Sequence, residues 1–316
     1  MYILGVDIGG TKCAVVTASY TDGNIDIIKK EKCDTDLKAS PEEMIKRLFS
    51  LADGILTEKP DAIGISCGGP LDSEKGLINS PPNLPGWDNV EIVRLFEEYY
   101  GVKARLQNDA NACALAEWKF GAGKGDENMI FLTFGTGLGA GLILNGKLYS
   151  GTNGNAGEIG HIRLEQSGPV GYGKAGSFEG FCSGSGLAQL GFYKALEKAE
   201  SGVYPSYFKK GMTSEDITAK AIAQAADEGD ETAVEVYKIC GEYLGKGLSV
   251  VIDILNPQTI VIGSIYARSN HLLSDSMKKV IEKEALACSA GCCRIVPAAL
   301  GESIGDYAAI ATAMEV

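Results

Sequence analysis

Histidine is scarce in this chain, with only His161 and His271 among 316 residues. Paired cysteines are missing as well. Nine cysteines are present without a single CxxC: Cys13, Cys33, Cys67, Cys113, Cys182 and Cys240 stand alone, and only Cys288, Cys292 and Cys293 cluster. That pattern excludes a zinc-finger spacing and reads as reduced, mostly buried thiols of a cytoplasmic protein. Adjacent cysteines such as Cys292 and Cys293 do not readily converge on one tetrahedral ion, which argues against a metal site there. Basic charge is also lacking. Lys and Arg number 29 against 41 Asp and Glu, a formal net charge of -12, so no basic stripe is available for a nucleic-acid backbone. No apolar run reaches the ~18–20 residues of a membrane span. No basic n-region with a cleavable apolar segment opens the chain. A P-loop, with glycines leading through Lys and Ser/Thr into a helix, is absent too. The expectation is a cytoplasmic protein with neither nucleic acid nor membrane as partner.

What the chain does have is a repeated glycine turn. Asp7-Ile8-Gly9-Gly10-Thr11-Lys12 follows one apolar run (Tyr2 to Val6) and precedes another (Cys13 to Ala18). An altered copy, Thr133-Phe134-Gly135-Thr136-Gly137-Leu138-Gly139-Ala140-Gly141, lies between Met129–Phe134 and Ala140–Leu144. Strand, glycine turn and strand make a hairpin whose tip exposes backbone N–H groups, and such tips can cradle phosphate oxygens. One copy in each half of the chain points to a nucleotide held between two similar lobes.

Strands are predicted at Tyr2–Val6, Cys13–Ala18 and Ile25–Lys30, then a helix from Pro41 to about Thr57, whose start Ser40-Pro41-Glu42-Glu43 has the composition of a helix N-terminus. A buried strand at Ala62–Ser66, a helix at Val90–Tyr100 and a strand at Lys103–Gln107 complete one βββαβαβ set. A second set, interrupted by insertions, runs through Met129–Phe134, Ala140–Leu144, Lys147–Tyr149, a helix around Thr232–Leu255 and Thr259–Ile262, with Arg294–Pro297 as a further strand. Helix Asn111–Phe120 leads from one lobe to the next, and Glu302–Met314 is alanine-rich and helical in period. The predicted class is α/β, with mostly parallel sheets covered by helices. The lobes divide as 1–118, completed by a C-terminal helix at 302–316, and 119–301.

Three further stretches carry chemistry. Asn108-Asp109-Ala110-Asn111 follows a strand and opens a helix, so Asp109 is either an N-cap or a base at a sheet edge, where α/β proteins place ligands. Gly157-Glu158-Ile159-Gly160-His161 can present Glu158 and His161 to one polar ligand, although a lone histidine is more often structural. Asn79-Ser80-Pro81-Pro82-Asn83-Leu84-Pro85-Gly86-Trp87 reads either as a surface loop tucked in by Trp87 or as a sugar clamp of two amides and an indole.

Together, in number and order, these motifs resemble the ROK family (repressors, open reading frames and kinases) of bacterial sugar kinases, among them glucokinases and N-acetylmannosamine kinases. The match runs the whole length through Gly68-Gly69-Pro70-Leu71-Asp72, and Val261-Ile262-Gly263-Ser264 resembles the family's loop near the adenosine. The resemblance implies two actin/hexokinase-like (ribonuclease H-like) lobes with a central cleft, ATP and Mg²⁺, and a homodimer. It implies that Asp7 sits near Mg²⁺ and the phosphates, directly or through water. Gly9, Gly10, Thr11 and Lys12 would form the first phosphate loop and Thr136 and Gly137 the second, with Gly263 and Ser264 beside the nucleotide. Asn83, Asn108, Asp109, Glu158, His161 and Glu179 would hold the sugar, with Asp109 as general base for transfer to the 6-hydroxyl of glucose, N-acetylmannosamine or a related hexose.

In one respect the chain departs from the family. Most members carry three zinc-binding cysteines around a Cys-Gly-x-x-Gly-Cys core after the histidine, whereas here Gly168 to Glu179 contains none and Cys182 comes too late. No zinc is expected, and Tyr172, Phe178 and Phe181 are expected to hold the loop by packing. Two other readings stay open: a sugar-responsive transcriptional regulator, for which a first loop at residue 7 leaves no room for a preceding helix-turn-helix, and a non-sugar actin- or Hsp70-like ATPase.

Overall fold

Buried aliphatic side chains make β1 (Tyr2–Ile8) a central strand. It turns through Gly9–Thr11 into β2 (Lys12–Thr21), and the Asp22-Gly23 turn, with φ of 52° and 84°, leads on to β3 (Asn24–Asp34). This is a computed structural model and describes residues 1–315; Val316, the end of the expected helical segment 302–316, lies outside them. In α1 (Pro41–Ile55), Ser40 accepts the Glu43 N–H while the Glu43 carboxylate accepts the Ser40 N–H, and Pro41 opens the first turn. Next come β4 (Ala62–Cys67), buried throughout, and the short pair β5 (Leu71–Asp72) and β6 (Leu77–Ile78). Then follow α2 (Ile92–Tyr100), β7 (Ala104–Asn108) and α3 (Asp109–Phe120).

The first sheet has the order β3-β2-β1-β4-β7. The expectation of a mostly parallel sheet fails here, because β1, β2 and β3 pair antiparallel while only β1–β4 and β4–β7 are parallel. The cause is connection length: tight turns can join only antiparallel neighbours, whereas a helix-bearing crossover brings β4 and β7 back parallel.

The second set begins with β8 (Met129–Phe134), β9 (Leu138–Leu144) and β10 (Lys147–Leu148). A small hairpin of β11 (Val170–Gly171) and β12 (Lys174–Ala175) precedes α4 (Phe178–Phe181) and α5 (Gly184–Ala199). After α6 (Ala219–Asp227) and the long α7 (Glu231–Leu255), β13 (Thr259–Ile262) pairs parallel with β8. Then come α8 (Ser264–Glu284), α9 (Ala287–Cys292), β14 (Arg294–Pro297) and α10 (Ile304–Ala313). This second sheet runs β10-β9-β8-β13-β14, so the protein is mixed α/β with two five-stranded sheets.

The chain divides into two compact units. The first holds Met1–Glu127, Gly141–Ala156 and the segment from Ala299 onward; the second holds Asn128–Ala140 and Gly157–Ala298. In the first unit Leu4, Val6, Ile63, Ile65, Trp87 and Phe96 share one core. Helix α10 lies directly on β4 because position 64 is glycine: a Cβ there would run into the Ala309 carbonyl and the Ala313 N–H. Lys30 of β3 pairs with Asp306 in the first turn of α10 at 2.6 Å. Among the described residues no helix is long and apolar enough to cross a membrane.

Candidate active site

In the first unit the glycine turn is held from behind. Gly9 donates its N–H to the Lys12 carbonyl (3.1 Å), and the Gly9 carbonyl accepts the Thr35 hydroxyl (2.6 Å). A side chain on Gly9 would strike the Lys12 carbonyl, and one on Gly10 would strike Asn83, so the turn needs both glycines. A cavity of ≈ 290 Å³ opens in front of it, lined by Asp7, Gly9, Gly10, Asn83, Asp109 and Gly305 among others. Thr11 and Lys12 lie exposed on the hairpin rather than in the cavity wall. Trp87 is 2 % exposed and belongs to the core, so it tucks the proline-rich loop in, and the loop lines the cavity with Pro81, Asn83 and Leu84 instead.

At Asn108-Asp109 the cap falls to Asn108. The Asn108 side chain accepts the Ala110 N–H at 3.0 Å, and Asp109 is the first residue of α3, two residues ahead of the expected start. Asp109 therefore is not the N-cap, although its Oδ1 also accepts the Ala110 N–H at 2.8 Å. The Asp109 side chain keeps exposed surface toward the cavity. Surrounding protein strips enough water from the carboxyl to hold it above the usual range, against the downward pull of the Ala110 N–H and the Asn108 side chain.

Half-buried Asp7, at the end of β1, is pushed to about 7, first by burial and then by the carboxylates of Asp109 and Asp306, with Lys30 opposing. A carboxylate crowded by two others is stabilised as an anion by a divalent cation. Among the described residues no three His, Cys, Asp or Glu side chains group to hold a metal. This donor set suits Mg²⁺, which is commonly bound through one or two carboxylates plus waters and phosphate oxygens, and it does not form a cage for a structural ion.

In the second unit the turn Gly135–Gly137 is closed by the Gly135 N–H on the Gly137 carbonyl (3.1 Å). The N-terminus of α5 abuts it, since the Gly184 N–H donates to the Gly135 carbonyl at 2.7 Å. Ser264, with φ of 51°, opens α8 so that its hydroxyl would lie 3.7 Å from a Cβ on Gly135. Two helix N-termini beside a glycine turn form an anion-binding arrangement. Thr136 is exposed on that turn. Glu179 of α4 uses one oxygen to accept the Leu138 N–H (2.9 Å), which ties its carboxylate to the residue after the glycine turn. Glu158 is exposed just ahead of the short turn Ile159–His161, and Gly160 of that turn packs against Glu179. His161 is half-buried, with its carbonyl accepting from Lys174 Nζ (2.7 Å).

The expected packing of the loop after His161 is right for Phe178 and Phe181, which are buried, with Phe181 stacked on Tyr243 at 3.5 Å. It is wrong for Tyr172, which is 72 % exposed. Thr35, Gly305 and Asp306 also stand at this site, outside the residues that the sequence motifs point to. Asp306 had a signal, as the only charged residue in the alanine-rich α10; Thr35 and Gly305 had none.

The glucokinase of Thermotoga maritima is 30 % identical over 308 residues, covering 96 % of this chain and 94 % of that protein. The xylose repressor of Caldicellulosiruptor bescii is 29 % identical over 290 residues, covering 90 % of this chain and 70 % of that protein. The crystal structure of a ROK family glucokinase from Streptomyces griseus in complex with glucose and AMPPNP superposes with a TM-score of 0.79 at 28 % identity, over 100 % of both chains. The description "ROK family" matches residues 3–315, which takes in both glycine turns, Asn83, Asp109 and the stretch Glu158–Glu179, and the chain belongs to that family.

Proposed function

We infer that this chain is an ATP-dependent sugar kinase that transfers the γ-phosphoryl group to the 6-hydroxyl of a hexose or N-acetylhexosamine. Glucose and N-acetylmannosamine are the first substrates to try. The observation that carries the reading is Asp109: capping is done by Asn108, and the Asp109 carboxyl faces the cavity shared with Asn83 and the Gly9–Gly10 turn. Glucokinase relatives and the glucose–AMPPNP complex of a structural neighbour support it.

Phosphoryl transfer asks a protein mainly for positioning and charge neutralisation. In this reading Asn83, Asn108, Asp109, Glu158, His161 and Glu179 hold the sugar hydroxyls. Asp109 accepts the proton of the 6-hydroxyl as that oxygen bonds to the γ-phosphorus. The bond from phosphorus to the bridging oxygen breaks, leaving ADP. A carboxyl held above its usual range is a stronger base than an ordinary one. Gly9, Gly10, Thr11 and Lys12, with Thr136 and Gly137, cradle the phosphates, and Gly263 and Ser264 flank the nucleoside. Asp7 would hold Mg²⁺ directly or through water, and the ion supplies charge neutralisation of the phosphates when bound. We also infer a cytoplasmic homodimer, on the strength of nine free cysteines and of the exposed Ile254 and Leu286.

A coupled assay for ADP release across hexoses and amino sugars tests the reading. Sugar-dependent ADP release with a 6-phosphate product supports it. ATP consumption without any sugar would favour an actin- or Hsp70-like ATPase. Absence of turnover together with sugar-dependent DNA binding would favour the regulator reading that the repressor relative keeps open.

A further inference from the structure

The hairpin of β11 and β12 turns at Tyr172-Gly173, with φ of 44° and 74°. Positive φ at both central residues of a two-residue loop is the geometry that Asn-Gly or Asp-Gly satisfies best and a bulky side chain satisfies poorly. The ring is not there for packing, since the residue is 72 % exposed. Its ring contact is with His161, edge-on at 5.3 Å and 90°. The hairpin that carries it is built onto two residues of the proposed sugar set. Lys174 Nζ donates to the His161 carbonyl (2.7 Å), and a Cβ on Gly171 would stand 2.8 Å from the Glu179 Cβ. Gln189 grips the hairpin's other end, accepting the Val170 N–H and donating to the Val170 carbonyl, each at 2.9 Å. An exposed aromatic ring is thus held beside His161, on a hairpin packed against Glu179, by a turn that would fold better without it.

We propose that Tyr172 is a specificity-determining residue of the sugar site, its ring lying against the C–H face of the pyranose whose hydroxyls His161 and Glu179 bind. The proposal rests on the kinase reading above. A pyranose carries hydroxyls around its rim and C–H bonds on its faces, so polar groups recognise the rim and an aromatic carbon surface complements a face. The ligand class is a cyclic hexose or N-acetylhexosamine; an open-chain polyol offers no such face.

Tyr172→Asn and Tyr172→Phe, compared with the wild type on whichever sugar it phosphorylates, test this. Asn suits the turn better than Tyr, so the substitution leaves the fold intact. For Tyr172→Asn the sugar KM should rise about three- to tenfold, the loss of one aromatic contact. Its kcat and ATP KM should stay within about twofold, and its melting temperature should not fall. Tyr172→Phe keeps the ring and should follow the wild type. An unchanged sugar KM in Tyr172→Asn overturns the proposal. So does a lower melting temperature with both KM values raised together, because the ring would then serve the fold. A wild type that phosphorylates no sugar sinks the kinase reading itself, and with it this proposal, before any substitution is compared.

Discussion

Asn108 and Asp109 divide two tasks that their residue types would let either perform. Both side chains cap helices well, which is why the dipeptide alone left the base and the cap open. Backbone geometry separates them: Asn108 is extended (φ -60°, ψ 143°) and accepts the Ala110 N–H, while Asp109 is already helical and reaches the cavity. Asp109→Asn should therefore leave helix α3 and its melting behaviour intact. Sugar affinity should hold within about an order of magnitude while kcat drops by ~10²-fold or more, as befits loss of a general base. Steady-state kinetics beside a thermal melt check this, and near-normal turnover would remove Asp109 from the chemistry. Trp87 is the counterpart on the apolar side. An indole in a proline-rich loop can cover a sugar or plug a core, and only the packing against Ile78, Leu84 and Phe96 decides for the core.

Strands declared themselves in the sequence where burial on both faces made an unbroken apolar run, as in β8 and β13, and β14 shows through its β-branched Ile295-Val296 although its ends are exposed. The bounds of β8, β13 and β14 match the reading residue for residue. Helices α5 and α8 escaped it for local reasons. The first residues of α5, Gly184-Ser185-Gly186, have loop composition, and its start depends on the Ser183 hydroxyl accepting the Gly186 N–H. Helix α8 opens at a glycine cap, begins with Ser264 at positive φ and is kinked at Ser269, so its apolar period is broken. The two-residue strands β11 and β12 are too short to show any period. The fit of α10 on β4 was also invisible, because a glycine in an apolar run does not say which backbone it admits. Gly64→Ala places a methyl against the Ala309 carbonyl and Ala313 N–H, backbone atoms that cannot swing aside. Denaturant unfolding should show a loss of about 1–3 kcal/mol, typical of overpacking; unchanged stability would mean that α10 is free to shift.

Metal content is a property of the protein as a whole. Between Ile162 and Phe181 the chain has no cysteine, and loop cohesion comes instead from the Phe181–Tyr243 stack, the Gln189 bonds and the Glu165–Lys246 pair at 2.8 Å. Elemental analysis of purified protein should find no stoichiometric zinc. Zinc-selective chelation should leave activity intact while Mg²⁺ is in excess, and EDTA without added Mg²⁺ should abolish it. About one zinc per chain would overturn this and demand ligands outside that loop.

Helix α10 belongs to the first unit although it follows every residue of the second in sequence, and Ala308 through Ala313 are buried there. The ordinary order of synthesis, in which the N-terminal part matures while the rest is still being translated, is therefore reversed for this protein. A nascent chain that ends before Ala299 has Gly5 and Gly64 facing no helix, Lys30 without Asp306, and Glu117 without the N–H groups of Ala299 and Leu300 that it accepts. The second unit has its residues complete by Ala298. The first unit is thus closed only after the second has been made, and Asp7 acquires its Asp306 neighbour only once α10 has left the ribosome.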